Sequence, residues 1–218
     1  KTTTVKILLD QLSHLGSGIP FMVIEPSKSE YRDMLTTPEG HLDQNTIVYT
    51  LGDETTNPFR INPFQFKVHE TGKHVNVQTH IDYLKSVFNA AFALYPPMPY
   101  VLEICLHEVY TDRGWNLVSN ENEKLSAANR SNLLDWPVFP TLEELHKKID
   151  QVTSRLGYGF EVERDVKAAL QTRIESLMTG GKGMMLNVPV DQGMQPLLKS
   201  NCILELEKKS CWHMYNQH

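Results

Sequence analysis

Two neighbouring runs decide the fold: Lys1-Thr2-Thr3-Thr4-Val5-Lys6-Ile7-Leu8-Leu9-Asp10-Gln11-Leu12-Ser13-His14-Leu15, and Phe21-Met22-Val23-Ile24-Glu25-Pro26 a few residues on. In the first, Val5, Leu8, Leu9, Leu12 and Leu15 recur at helical spacing, which predicts an amphipathic helix over residues 2 to 15. Gly16 is a natural stop, and Ser17-Gly18 prolongs the turn. In the second, Phe21-Met22-Val23-Ile24 is a short continuous apolar run, better suited to a buried parallel strand than to a half-exposed one. Helix, tight turn and buried strand make one half of a βαβ crossover, so the expected fold class is α/β.

Working outward, Lys1-Thr2 matches the last two positions of a phosphate-binding loop, G-x-x-x-x-G-K followed by Ser or Thr, and a helix follows at once. The chain starts at the lysine without an initiator methionine, and we read it as a piece of a longer protein. Open α/β sheets hold ligands outside the carboxyl ends of their strands, which is where Glu25 falls. Glu30 follows in Ser27-Lys28-Ser29-Glu30-Tyr31-Arg32, the expected start of a short helix. Taken alone, both acids also fit ordinary solvated loop chemistry. Thr46-Ile47-Val48-Tyr49-Thr50 reads as a second strand, rich in β-branched residues and stopping at Gly52-Asp53. The prolines and asparagines of Asn57-Pro58-Phe59-Arg60-Ile61-Asn62-Pro63-Phe64 mark a shaped loop, either a rigid turn or a functional loop near a nucleotide.

Taken together, Lys1-Thr2-Thr3-Thr4, Phe21 to Tyr31, Tyr49 to Glu54 and Asn57 to Phe64 resemble, in order and spacing, the HerA-type branch of the HerA/FtsK ATPases. These are P-loop motors related to the ATPases of conjugation and type IV secretion. The resemblance is strongest over residues 1 to 64, extends to about residue 206, and is absent beyond. It implies a partial P-loop NTPase (RecA-like) parallel sheet carrying a helical insertion. The implied division is 1–68 for the first part of the ATPase core, 69–180 for the insertion, 181–207 for the return to the sheet, and 208–218 for an off-pattern tail. It also implies ATP and Mg²⁺ as cofactors. Lys1 would be the phosphate lysine, Thr2 the Mg²⁺ ligand, and Thr3 a neighbour of the α-phosphate. Glu25 and Glu30 would face the site from the next strand end, Glu30 being the preferred catalytic acid because the family carries an acid before an aromatic there. The glycines of the loop and the later acids are missing, so the fragment by itself is expected to hydrolyse ATP poorly.

Downstream the pattern is helical. Val77, Ile81, Leu84, Phe88, Ala91 and Phe92 mark one helix, which Pro96-Pro97 interrupts, and a second runs from Tyr100 to Thr111. His107-Glu108 is not a zinc-protease helix, because Thr111 stands where the second histidine is needed. Cys105 reads as core filling. Residues 114 to 138 are polar and irregular, expected as a long surface loop anchored by Trp115 and Trp136. Thr141 and Glu144 stand at capping-box spacing before a helix that runs to about Leu156. Val162, Val166, Ala169, Leu170, Ile174 and Leu177 mark another helix. Its Arg173, or Arg60 in the Asn-Pro loop, could reach a neighbouring subunit's nucleotide, but nothing in the sequence selects either. Gly180-Gly181-Lys182-Gly183 is not a phosphate loop: Gly183 follows the lysine and a helix precedes the run, so a C-cap turn is expected. Asn201 to Glu207 reads as a buried strand ending in acid, comparable with a Walker B segment. In the family, however, such a strand, preceded by a loop like Val188-Pro189-Val190-Asp191-Gln192, comes before the Walker B strand. In the tail, Cys211 and His213 are too few for a closed metal site, and a truncated or shifted reading frame is the simpler expectation.

At 40% hydrophobic and 22% charged, the composition is that of an ordinary globular chain. The net charge of -5 provides no overall basic field for nucleic acid. Three scattered cysteines form no disulfide framework and suit a reducing, cytoplasmic setting, with membrane association only through partners. Three functions stay open at this point. The first is a hexameric translocase or helicase-like motor on double-stranded DNA, with a nuclease partner. The second is the ATPase of a conjugation or type IV secretion machine moving protein or DNA–protein cargo. The third is a non-catalytic interaction module with a vestigial nucleotide site.

Overall fold

A computed structural model of the chain describes residues 2–14, 19–26, 30–35, 46–52, 57–68, 73–125, 137–191 and 199–206. Lys1, the Gly16 to Gly18 turn, Ser27 to Ser29, Asp53, Trp136, Gln192 and the tail lie outside the described residues. The chain divides into two compact units, one made of Lys1–Arg60 with Gln192–His218 and one of Ile61–Asp191.

The first unit carries helix α1 (Thr2–His14), strand β1 (Met22–Glu25), a 3₁₀ helix (Glu30–Leu35), strand β2 (Thr46–Thr50) and, from the far end of the chain, strand β5 (Asn201–Glu205). The sheet order is β1-β5-β2 and every pairing is parallel. β5 is thus the middle strand, and its Cys202 and Ile203 are fully buried. Beside it Tyr49 packs on Phe59 with ring centroids 5.4 Å apart. The first Asn-Pro turn is fastened to β2, where the Asn57 side-chain amide donates to the Val48 carbonyl at 3.0 Å. β1 corrects one expectation. It is parallel, but Met22 and Ile24 are 48% and 54% exposed, because they share one face of the strand and the described residues leave that face largely uncovered.

The second unit holds the larger core. It contains α2 (Val77–Phe92), α3 (Met98–Asp112), a short hairpin of β3 (Trp115–Asn116) and β4 (Glu121–Asn122), α4 (Leu142–Arg155), α5 (Phe160–Met178) and α6 (Gly180–Leu186). Two of these helices, α2 and α4, start where a side chain provides an acceptor for free amides. The Asn76 side chain accepts from Gln78 and Thr79, while Thr141 and Glu144 complete the capping box at α4. Ile81, Leu102, Leu106, Leu145, Ile149 and Ile174 interleave in the core. Cys105 is part of that core, and burial pushes its thiol up to about 12, leaving it an apolar filler.

Three loop expectations change. The stretch after α3 is a paired hairpin in its first part, not an irregular loop. Trp115 is buried there, and its indole N–H donates to the Val138 carbonyl at 2.7 Å. The Gly180 to Gly183 run is not a C-cap turn but a corner between two helices. Gly180 has φ +61°, and a Cβ on Gly183 would lie 1.9 Å from the Met178 carbonyl oxygen, so the corner closes only around glycine. The second Asn-Pro pair is a structural knot. Buried Asn62 donates its amide to the Pro140 and Pro189 carbonyls at 2.9 and 3.1 Å, and its oxygen accepts from the Phe64 amide at 2.9 Å. The Asn62 backbone N–H donates to Asp191, whose own N–H donates to the Gln65 side chain. Burial raises the Asp191 carboxyl above its usual range, against the lowering pull of that amide.

His80 gives this unit a pH dependence. Its ring packs on Phe66 and Tyr110, and its Nε2 is buried without a hydrogen-bond partner among the described residues. Burial lowers its pKa below the ordinary 6.5, outweighing the bonds to Pro63 and Phe64 that favour the charged form. As pH falls through 6.5 the unfolded chain takes up a proton that the folded unit does not. Stability is therefore full above 6.5 and declines as pH drops toward the folded value. Urea midpoints at pH 7.5 and 5.5 should show this decline, and His80→Phe should remove part of it; an unchanged slope in that variant would refute the assignment.

Candidate functional site at the strand ends

The three parallel strands of the first unit end together. The register pairs Glu25 with Glu205 and Thr50 with Glu205, so two acids and a hydroxyl lie side by side at the carboxyl edge of the sheet. All three are buried, Glu25 at 5% and both Thr50 and Glu205 at 2% exposure. This is the edge at which open α/β sheets hold ligands.

The 3₁₀ helix supplies the cation. Arg32 grips Glu205 with two nitrogens, Nε to Oε1 at 2.6 Å and Nη2 to Oε2 at 2.7 Å. Nη2 also donates to the Thr50 hydroxyl at 3.1 Å, and that hydroxyl donates to Glu205 Oε2 at 2.8 Å. A bidentate fork of this kind fixes direction as well as charge. Arg32 is half exposed and Glu205 is not, so the pair anchors the 3₁₀ helix over the sheet while water screens the outer half.

Glu25 performs the matching task at the start of the same helix. Its Oε1 accepts the Glu30 amide at 2.8 Å. Its Oε2 is buried and accepts no hydrogen bond from the described residues. The structure thus joins Glu25 and Glu30, but through the backbone of Glu30. Glu30 itself is half-buried at the first position of the 3₁₀ helix. Thr2 and Thr3 form the first turn of α1, Thr2 half-buried and Thr3 exposed. That helix meets the 3₁₀ helix one turn later: Lys6 pairs with Asp33 at 2.9 Å and lies over the Tyr31 ring. Lys1 falls outside the described residues.

Sequence reasoning passed over Arg32 and Thr50 and compared the acid-ended fifth strand only with a Walker B segment. The available signal was positional. Glu25, Thr50 and Glu205 each close a strand, and parallel strands of one sheet bring such residues into line.

Two tests bear on a Mg²⁺-nucleotide. Among the described residues no group of three His, Cys, Asp or Glu is placed to hold a metal ion, which excludes a closed protein cage there. The orphaned Glu25 Oε2 fits the other kind of site, because Mg²⁺ is usually held by one or two protein oxygens, substrate phosphates and its own waters. No described helix is long and apolar enough to cross a membrane.

The α/β architecture, with its parallel sheet and flanking helices, is that of a partial P-loop NTPase fold. Among solved structures the chain is similar to VirB4 of Thermoanaerobacter pseudethanolicus, with a TM-score of 0.56 and 17% sequence identity. The likeness covers 100% of this chain and 48% of that one, so the chain spans about half the length of that structure. No protein-family model matches the chain. No curated protein matches it in sequence.

Proposed function

We propose that this chain is part of a P-loop ATPase of the conjugation and type IV secretion kind, a motor that moves protein or DNA–protein cargo. The observation that carries this reading is the fold likeness to VirB4 along the whole chain. The order of sequence blocks from Lys1 to Phe64 supports it independently. A translocase acting on double-stranded DNA as a hexamer, with a nuclease partner, is the second reading, favoured by the HerA-like details of those blocks. In both readings the motor works on the cytoplasmic side and reaches a membrane through its partners.

In this proposal Lys1 and the first amides of α1 face the β- and γ-phosphates, where the positive end of a helix favours anions. Thr2 offers its hydroxyl to Mg²⁺, and Thr3 lies by the α-phosphate. Bound Mg²⁺ supplies charge neutralisation across the phosphates during transfer. Glu30, first in the 3₁₀ helix, is the proposed acid beside the attacking water. Its main chain is fixed by Glu25, and Arg32 holds the rest of that helix through Glu205.

The test uses the full-length polypeptide carrying these residues. It should hydrolyse ATP in a Mg²⁺-dependent way, and Lys1→Ala should lower turnover by at least about 100-fold, as expected for loss of a transition-state charge contact. Stimulation by double-stranded DNA at low salt would favour the translocase over the secretion motor. Absence of nucleotide binding would overturn both and favour an interaction module.

A further inference from the structure

We propose that Glu25 Oε2 is the sheet-side acceptor for the divalent cation of the bound nucleotide, holding it through one of the cation's waters. This rests on the ATPase reading and gives Glu25 a specific role in it.

Two buried acids, Glu25 and Glu205, lie in register at the strand ends. Arg32 serves one of them, since its Nε and Nη2 both bind Glu205, and Thr50 adds a third bond to the same carboxylate. Glu205 is therefore committed to fixing the 3₁₀ helix. Glu25 is committed with one oxygen only. Oε1 takes the Glu30 amide, while Oε2 is buried with nothing among the described residues donating to it. A buried carboxylate oxygen without a donor is costly, so a ligand that brings donors and positive charge is the complement this atom calls for. A hydrated dication brings both, and Mg²⁺ characteristically keeps several waters when it binds beside phosphates. A lone water would satisfy the hydrogen bond and leave the charge. The position at the carboxyl edge of a parallel sheet is the ligand side of such folds.

The experiment measures metal binding and not turnover. Mn²⁺ replaces Mg²⁺ and is titrated by electron paramagnetic resonance into the full-length protein bound to a non-hydrolysable ATP analogue. Glu25→Gln keeps a carbonyl oxygen for the Glu30 amide and loses only the charge and the free acceptor. It should weaken Mn²⁺ affinity by roughly 10-fold or more, the usual range for a group acting through a ligand's outer shell. Binding of the analogue without metal should be unchanged, and the melting temperature should be equal to wild type or higher. Mn²⁺ affinity within about twofold of wild type would overturn the inference and leave Glu25 as an anchor of the 3₁₀ helix. Loss of metal-free analogue binding together with a lower melting temperature would also overturn it. If the wild-type protein binds neither the analogue nor Mn²⁺ with it, the ATPase reading fails and takes this inference with it.

Discussion

Asn62→Ala is expected to destabilise the helical unit by about 3–5 kcal/mol, the sum for several buried backbone groups left without partners. Asn62 is 1% exposed and joins chain segments far apart in sequence. Truncation strands the Pro140 and Pro189 carbonyls and the Phe64 amide at once, in a place water does not reach easily. The loss spreads further, because the backbone N–H of Asn62 positions Asp191, and Asp191 in turn binds Gln65. Asn62→Asp keeps the acceptor for Phe64, removes both donors and adds a second carboxyl near Asp191, so it should fare no better at neutral pH. Urea unfolding followed by fluorescence provides the measurement. A loss below about 1 kcal/mol, less than a single unsatisfied buried group costs, would mean that the knot is not what holds the two ends of this unit.

The second large effect is at the hairpin. Trp115→Ala should cost about 3–5 kcal/mol, the range for removing a large aromatic from a packed core. Trp115 stacks within 5.1 Å of both Phe66 and His74 and within 5.8 Å of Phe139, ring centroid to ring centroid. It also provides the N–H for the Val138 carbonyl. Trp115→Phe would restore most of the packing and none of the hydrogen bond, so it should recover more than half of the loss. Val118→Ala on the same hairpin is the control, since that side chain is 95% exposed and its truncation should change little. Circular dichroism is the appropriate probe, because the substitution removes a fluorophore. Equal effects for Trp115→Ala and Val118→Ala would show that the hairpin is not docked.

Features fixed by nearby residues were legible in the sequence. The second strand, Thr46–Thr50, follows from its β-branched run, and the start of α4 follows from Thr141 and Glu144 three positions apart. The helical recurrences that begin at Val77 and Val162 are both helices, and Val77, Ile81, Leu84, Phe88, Val166, Leu170 and Ile174 are buried, while Val162 is 47% exposed. What escaped was fixed by distant partners. Asn62 looked like turn chemistry because its acceptors lie 78 and 127 residues away. Arg32 was passed over because its partner Glu205 is 173 residues away. The Gly180 run looked like punctuation, since nothing local tells that the Met178 carbonyl approaches Gly183 closely enough to forbid a side chain there. In the candidate site the sequence pointed to Glu25 and Glu30, but only the sheet register puts Glu25 beside Glu205 and leaves one of its oxygens unclaimed.

The strand order β1-β5-β2 has a consequence for how this unit comes into being. β1 and β2 are synthesised first, yet both find their ladder partner in β5, about 150 residues or more later in the chain. While the chain emerges, two β-prone segments wait with unpaired edges, and the whole of Ile61–Asp191 is made in the interval. That intervening unit, Ile61–Asp191, carries a hydrophobic core of its own. The three-stranded sheet needs Asn201–Glu205 before it can form, since that single five-residue segment pairs with both outer strands.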